Sequence, residues 1–212
     1  YEMLRSLVGS EMCIRDRVSS MAEVILDIPG KLYFGSDVLN LVGSVASGYG
    51  NRALLLADYN LHEGRHIERV IDLLHGKGIQ CILIDDIGSY GSSRTLTDTV
   101  EFARTSRIEV ILAMGGGSTL NAGRTIASRY RAIPHHQEAE RSAYLEILTV
   151  FRYPFLLRNA YIDLDPGEQR LKVFPLPPSL YKGTLIDPGI MAGLSTKYTG
   201  CLLYTSPSPR DS

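Results

Sequence analysis

The residues best suited to chemistry form a glycine-rich turn, Gly115-Gly116-Gly117-Ser118, directly after the apolar run Ile108–Met114. Glycines allow positive φ angles and let backbone amides approach a ligand closely. Ser118 is predicted to be the N-cap of a following helix, whose positive end would point at the turn. The pyrophosphate of a dinucleotide suits such a turn. A tight turn that needs small residues only for packing is the alternative.

Asp58 is the second candidate, because it ends another apolar run, Arg52–Ala57. A carboxylate at the end of such a strand can accept hydrogen bonds from an adenosine ribose and repel a 2′-phosphate. The same side chain could instead cap the turn that follows it. The residue types around Asp58 do not distinguish ribose binding from capping, so both interpretations stay open.

The segment His62-Glu63-Gly64-Arg65-His66 fits the H-E-x-x-H pattern of zinc proteases. That chemistry needs both imidazoles on one face of a stable helix and a third ligand downstream. Gly64 interrupts the helix, and the amphipathic stripe begins only at Ile67. We therefore expect no zinc site here. The pairs His135-His136 and Asp85-Asp86 are expected to be solvated rather than metal ligands.

Apolar runs and amphipathic segments alternate along the middle of the chain. This rhythm predicts an α/β fold with a Rossmann-like parallel sheet and helices on both faces. The predicted strands are Arg52–Ala57, Ile79–Ile84, Ile108–Met114 and Tyr144–Val150, and the predicted helices lie around Leu39–Val45, Ile67–Leu74 and Leu96–Ala103 and after the glycine-rich turn.

Two further pairs of short runs surround this pattern. Val24–Ile28 and Lys31–Phe34, split by Pro29-Gly30, indicate two edge strands or a hairpin. Ala160–Leu164 and Arg170–Phe174 flank the turn sequence Asp165-Pro166-Gly167-Glu168 and predict a β-hairpin. The polar stretch 134–142 predicts no regular element.

Composition excludes several classes of protein. The 212 residues are 44% hydrophobic and 21% charged with a net charge of −1, which is typical of a soluble globular chain and favours neither nucleic acid nor an anionic membrane as a partner. No apolar run approaches the roughly 20 residues that span a bilayer. Three cysteines form no disulfide framework and suit a reducing compartment, so a cytoplasmic location is expected.

The two ends of the chain have an unusual relationship. Residues 201–211 can be back-translated into a DNA strand whose complement, in a shifted frame, encodes residues 7–16. We therefore interpret residues 1–17 and 201–212 as translated sequencing adapter and residues 18–200 as the native segment. The adapter-derived ends are expected to contribute nothing to the fold, and the native frame is expected to continue past residue 200.

Four landmarks together resemble the iron-containing alcohol dehydrogenase superfamily, which includes glycerol dehydrogenase. They are Pro29–Gly35, Leu54–Asp58, Gly115–Ser118 and Leu185–Pro188. The resemblance implies an N-terminal Rossmann-like domain that binds NAD or NADP, here residues 18–200. It also implies a C-terminal helical domain that holds a divalent metal, iron or zinc, and is missing from this chain.

The resemblance also assigns roles to residues. Gly115, Gly116, Gly117 and Ser118 would bind the pyrophosphate and Asp58 the adenosine ribose, and Asn121 and Thr149 would be further cofactor-binding residues. The implied reaction of the complete enzyme is hydride transfer between a small-molecule alcohol or aldehyde and the nicotinamide, with the metal polarising the alcohol oxygen. Whether the chain forms a homo-oligomer stays open.

Three departures from the family pattern bear on activity. Asn121 and Arg124 stand where the pattern Gly-Gly-Gly-Ser-x-x-Asp-x-x-Lys has Asp and Lys. Leu148–Pro154 replaces a threonine-rich segment beside the nicotinamide, and only Thr149 matches. The metal-ligand motif would begin just after Gly200, so this chain is expected to be inactive by itself. A lyase similar to dehydroquinate synthase and a non-catalytic nucleotide-binding relative are the alternatives.

Overall fold

The computed structural model describes residues 29–62, 64–85, 87, 93–150, 158–165 and 167–192. Strands and helices alternate through most of this part of the chain, with two short 3₁₀ turns at Val38–Leu41 and Tyr59–Leu61. In chain order the elements are β1 (Lys31–Phe34), α1 (Val42–Ala46), β2 (Arg52–Ala57), α2 (His66–His75), β3 (Gln80–Ile84), α3 (Ser93–Thr105), β4 (Val110–Gly115), α4 (Gly117–Arg131), α5 (Gln137–Arg141), β5 (Ala143–Leu148), β6 (Ala160–Asp165), β7 (Arg170–Pro175), β8 (Tyr181–Ile186) and α6 (Pro188–Ala192).

Six strands form one parallel sheet in the order β1-β8-β5-β4-β2-β3. The chain runs from β2 to β3 at one edge and then crosses to β4 on the other side of β2. All six residues of β4 and of β5 are buried, because these strands lie in the middle of the sheet with helices on both faces. The predicted Rossmann-like architecture is confirmed.

Alternate residues of each central strand enter different cores. Leu54 and Ile111 belong to a cluster on the face that α3 and α4 cover. Leu55 and Leu112, the next residues along the same strands, belong to the cluster that α1 and α2 cover. The period of two along a strand therefore builds two hydrophobic cores from continuous apolar runs.

Strand β8 is an element that the apolar pattern misses. Lys182 and Gly183 interrupt its hydrophobic run, yet β8 pairs with β5 on one side and β1 on the other. A Cβ at Gly183 would lie 2.3 Å from the carbonyl oxygen of Lys31, so the close approach of β1 requires glycine. The predicted strand Lys31–Phe34 is thus an edge strand of the parallel sheet. Val24–Ile28 and the two chain ends lie outside the described residues.

Helix α5 corrects the prediction for the polar stretch 134–142. His136 caps this helix, since its Nδ1 accepts the N–H of Ala139 at 3.2 Å. The His136 ring also packs edge-on against Tyr130, with ring centroids 5.8 Å apart, and its side chain is only 17% exposed. The expectation of a solvated His136 is therefore wrong, because capping and ring packing give this imidazole a structural role.

The predicted hairpin is confirmed as β6 and β7, an antiparallel pair separate from the main sheet. It lies against α4, where Tyr161 and Asp163 of β6 meet side chains of the helix. Because α4 begins at the glycine-rich turn, the hairpin is attached to the element that carries the best candidate site.

Candidate functional site

The site lies at the carboxyl ends of β2 and β4. The chain leaves these neighbouring strands in opposite directions, so a crevice opens between them, as at the switch point of other open α/β sheets. Asp58 follows β2, and Gly115 ends β4. The N–H of Asp58 donates to the carbonyl of Met114 at 3.0 Å, which fixes the two sides of the crevice together.

Gly115 is required at this place by crowding. A Cβ there would lie 2.9 Å from the Cβ of Thr119 and 3.2 Å from the Cβ of Asp58. The absence of a side chain therefore lets the first turn of α4 and the end of β2 approach the same point of backbone.

Helix α4 begins with a backbone cap and no side-chain cap. Gly116 is the N-cap residue, with extended backbone angles (φ −88°, ψ −172°), and the first helical hydrogen bond runs from Leu120 N–H to the Gly116 carbonyl at 3.0 Å. Ser118 therefore lies inside the first turn, and its prediction as N-cap is wrong. The helix starts two residues earlier than predicted, because the extended backbone of Gly116 leads the chain directly into the first helical turn. The N–H groups of the first turn precede the helical ladder and point toward the crevice.

Thr149 follows strand β5 and lies beside the turn. Its N–H donates to the carbonyl of Gly115 at 3.1 Å, and the residue is 1% exposed. Its Oγ1 is buried and has no hydrogen-bond partner among the described residues. A buried hydroxyl without a partner costs free energy, so a ligand that supplies a partner is favoured at this position.

Asp58 performs the capping role that was one of its two interpretations. Its Oδ1 accepts the N–H of Asn60 at 3.0 Å and the side-chain amide of Asn60 at 2.8 Å. This contact orients the half-buried carboxylate at the edge of the crevice, on the β2 side of the turn. The capping role and a role toward a ribose are compatible, because a carboxylate offers more than one acceptor position.

Asn121 lies on α4 but is directed to the hairpin. Its Nδ2 donates to the carbonyl of Ile162 and its Oδ1 accepts the N–H of Ile162, both at 2.8 Å. Both polar ends of the amide are thus engaged by the backbone of β6. The structure brings Asp58, the glycine-rich turn and Thr149 together and gives Asn121 a different partner.

A buried ionic cluster lies behind the turn, and the residue pattern does not predict it. Arg124 of α4 and Glu146 of β5 both have fully buried side chains, and the guanidinium binds the carboxylate through two bonds, Nε–Oε1 at 2.6 Å and Nη2–Oε2 at 2.9 Å. The Tyr144 hydroxyl donates to the carbonyl of Leu120 at 2.9 Å and lies 3.0 Å from Glu146 Oε1. The guanidinium also lies over the ring of Tyr181, 5.3 Å from its centroid.

A signal for this cluster exists in the sequence. Glu146 is a charge inside the apolar run Tyr144–Val150, and Arg124 follows the small residues Ala122 and Gly123 on a helix that packs on the sheet. Charges are almost never fully buried unless they are paired. One charge of each sign in two buried elements therefore points to a pair, although it does not identify the partners.

The H-E-x-x-H segment does not lie on one helix. His62 follows a 3₁₀ turn and His66 begins α2, so the two imidazoles lack a common helical face. His62 lies between two carboxylates, with Nε2 2.7 Å from Asp85 and Nδ1 3.3 Å from Glu68, and these contacts raise its pKa. Burial is the main cause that lowers the pKa of His66, and Arg69 adds to it.

No group of three His, Cys, Asp or Glu side chains among the described residues could hold a metal ion.

A cleft of about 600 Å³ lies along α2, lined by residues that include Arg65, Arg69 and Lys77, and it shares no residue with the glycine-rich turn. Within the described residues, none of the helices combines the length and apolar character that crossing a bilayer requires.

Comparison with known proteins agrees with this architecture. A family model described as iron-containing alcohol dehydrogenase matches residues 29–151. NADH-dependent butanol dehydrogenase B from Clostridium acetobutylicum is 24% identical over 109 residues, which are 51% of this chain and 28% of that protein. The mitochondrial hydroxyacid-oxoacid transhydrogenase of Mus musculus is 29% identical over 105 residues, which are 49% of this chain and 22% of that protein. The chain thus spans less than a third of these curated relatives.

Solved structures share the fold. The NADH-dependent butanol dehydrogenase A from Thermotoga maritima superposes with a TM-score of 0.68 at 17% identity and covers 84% of this chain and 47% of its own. Sulfoacetaldehyde reductase from Bifidobacterium kashiwanohense, solved in complex with NAD⁺, gives a TM-score of 0.64 at 14% identity, with 80% of this chain and 48% of its own covered.

Proposed function

The chain belongs to the iron-containing alcohol dehydrogenase family, and we propose that its described residues form the cofactor-binding half of an NAD(P)-dependent, metal-dependent alcohol dehydrogenase. The proposed reaction of the complete enzyme is hydride transfer between a small alcohol or aldehyde and the nicotinamide. The observation that carries the proposal is the start of α4, which has no side-chain cap, beside the hydroxyl of Thr149, which has no hydrogen-bond partner among the described residues.

Each polar group in the crevice suits one part of a dinucleotide. The N–H groups at the start of α4 bind the pyrophosphate, because the helix dipole favours negative charge there. Asp58 accepts a hydrogen bond from the adenosine ribose and disfavours a 2′-phosphate, so NAD is preferred over NADP. The Thr149 hydroxyl, which has no hydrogen-bond partner among the residues that the structure describes, binds the dinucleotide on the side of the turn away from Asp58.

The cofactor supplies the hydride acceptor, and the chain's own residues orient and enclose it. Gly115 keeps the crevice narrow, since its lack of a side chain brings Asp58 and the start of α4 together. A metal does not fit the described residues, which offer no ligand set for one. We propose that the metal-ligand residues belong to the C-terminal domain that the family resemblance implies.

Titration calorimetry of the 212-residue chain with NAD⁺, NADP⁺ and ADP-ribose tests the proposal. We expect weak binding of NAD⁺ and ADP-ribose. Gly116→Val should lower both affinities at least about tenfold, because a branched side chain at the N-cap blocks close approach to the amides. Asp58→Asn keeps an acceptor for the Asn60 cap and removes the charge, so it should weaken NAD⁺ relative to NADP⁺.

Gly48→Val is the matched control. Gly48 lies in the turn between α1 and β2, at the opposite end of the sheet, where an added Cβ would make only an ordinary contact, 3.5 Å from the carbonyl oxygen of Val45. This variant should bind like the unmodified chain. If Gly116→Val remains folded by circular dichroism and binds NAD⁺ as well as the Gly48→Val control, the turn serves packing alone and the proposed cofactor site is wrong.

A further inference from the structure

The hairpin of β6 and β7 turns its polar face inward and its apolar face outward. Residues that pair across the two strands share a face. The Ser128 hydroxyl of α4 donates to that of Tyr161, and Arg129 of α4 pairs with Asp163, so the face that carries Tyr161 and Asp163 packs on the helix. The opposite face, which we call the outer face, consists of Ala160, Ile162, Leu164, Leu171, Val173 and Pro175.

All six residues of the outer face are apolar, and those of β7 are exposed to solvent. Leu171 is 72% exposed and Val173 is 60% exposed, while their cross-strand partners Leu164 and Ile162 are partly exposed. An antiparallel sheet with one solvated face normally carries polar residues on that face. The hairpin has the reverse pattern, which is typical of an interaction surface.

The charged side chains near the turn of the hairpin are paired within the molecule. Lys172 lies 2.8 Å from Asp165 and also pairs with Glu168, which in turn binds Arg170. None of the six residues of the outer face is charged. The outer face therefore offers no charge that is complementary to a nucleic acid, an acidic peptide or an anionic membrane.

The edge of β7 is unsuited to the addition of another strand. Among the described residues, β7 pairs only with β6. It carries Arg170 and Lys172 on the face that looks toward α4, and Pro175 has no N–H to donate. Inward-pointing charges and proline both hinder edge-to-edge pairing. The outer face, rather than the edge, is therefore the surface that a partner would cover.

We propose that the outer face is the contact surface of a homodimer, in which two copies of this chain pack their hairpins face to face about a two-fold axis. A flat, uncharged apolar face is complementary to its own copy, and a two-fold axis places the same residues on both sides of the contact. The net charge of −1 gives little repulsion between copies. Sheets packed in this way lie about 10 Å apart, so Leu171 and Val173 contact side chains of the second copy.

The size of the outer face sets the strength of this dimer. Two strands of six residues cover about 20 by 10 Å, or about 200 Å². A stable interface buries about 800 Å² on each partner. The hairpins alone therefore give a weak and reversible dimer, whose population rises with protein concentration. The inference is independent of the proposed cofactor site.

Sedimentation equilibrium of the 212-residue chain between about 10 µM and 1 mM tests the proposal. We expect a monomer–dimer equilibrium. The double variant Leu171→Glu/Val173→Glu places charges on both packed faces and should raise the dimer Kd at least about tenfold. Because both positions are exposed, thermal unfolding of this variant should change little. If the double variant unfolds, Val173→Thr keeps the shape of the side chain and should raise the Kd about threefold or more.

Phe34→Glu is the matched control. Phe34 is 63% exposed on β1, in the main sheet rather than the hairpin, and the variant adds the same charge at another exposed apolar position. The dimer Kd should stay within about twofold of that of the unmodified chain. A monomer at every concentration, or a dimer that the hairpin variants do not weaken, would overturn the proposal. Binding to phosphatidylcholine vesicles that the double variant abolishes would also overturn it, because the outer face would then contact lipid.

Discussion

The buried pair of Arg124 and Glu146 supports a quantitative prediction about Arg124→Met. The substitution leaves the Glu146 carboxylate without its cation in a site where both side chains are fully buried. Removing one partner of a buried pair costs about 3–5 kcal/mol. The carbonyls of Arg158 and Ala160 also lose their donor, which adds about 1 kcal/mol. We expect a total loss of about 4–6 kcal/mol in the free energy of unfolding.

The assay is urea and thermal unfolding followed by circular dichroism. For a chain of this size the loss corresponds to a fall in Tm of roughly 10–20 °C. The double variant Arg124→Met/Glu146→Gln removes both charges, and the glutamine side chain still accepts hydrogen bonds from the neighbouring hydroxyls. It should therefore recover at least about 2 kcal/mol of the loss in a double-mutant cycle.

Arg129→Met is the matched control on the same helix. Arg129 also pairs with a carboxylate of the hairpin, Asp163, but its side chain is 28% exposed, so its substitution should cost about 1 kcal/mol or less. The reasoning is refuted if Arg124→Met costs no more than this control. It is equally refuted if the Arg124→Met/Glu146→Gln double variant is as unstable as the sum of the single variants, because then no coupling connects the two charges.

Three shorter predictions test other parts of the structure. Gly123→Ala should destabilise the chain by about 1–3 kcal/mol although alanine has the better helix propensity, because the added Cβ would lie 2.6 Å from the Cβ of Ala113. In unfolding experiments, adding Ala113→Gly to this variant should restore part of the lost stability. In NMR titrations, His62 should titrate above the ordinary pKa of 6.5 and His66 below it. The contacts of protonated His62 therefore stabilise the fold below pH 6.5, and this stabilisation is lost as the pH rises through the raised pKa. The stabilisation from neutral His66 is present above pH 6.5 and is lost as the pH falls through the lowered pKa. Burial raises the pKa of the Cys81 thiol to about 11, so the thiol should be unreactive in the folded chain at pH 8. In a variant with the two other cysteines replaced by serine, mass spectrometry should show no reaction with iodoacetamide in the native state and full reaction after unfolding.

Local patterns were sufficient for most of the central fold. Strand β2 coincides with the apolar run Arg52–Ala57, and α2 contains the amphipathic stripe Ile67–Leu74. Both succeed because the period of hydrophobic residues reports directly which faces of an element are buried. The same logic fails for β8, where Gly183 is selected by the backbone of β1 rather than by the burial of its own side chain.

The candidate site also has features that the sequence predicted and one that it did not. A glycine-rich turn between a buried strand and a helix, and an acid at the end of the neighbouring strand, follow from residue types and order along the chain. The cap residue of α4 was predicted two positions late, because an extended Gly116 and a capping Ser118 begin similar helices and only the backbone conformation distinguishes them. The cofactor roles of these residues stay predictions until binding is measured.

The sequence by itself determined the alternation of strands and helices from β2 to α4, the glycine-rich turn and the hairpin, because each depends on residues near one another in the chain. The tertiary structure alone decided which charges pair and which edges are covered. Arg124 finds Glu146 across 22 residues, and Asn121 finds Ile162 across 41. Such partners depend on how α4, β5 and β6 pack in three dimensions, and no local period or spacing contains that information. The same packing leaves the Thr149 hydroxyl beside the turn with no partner among the described residues.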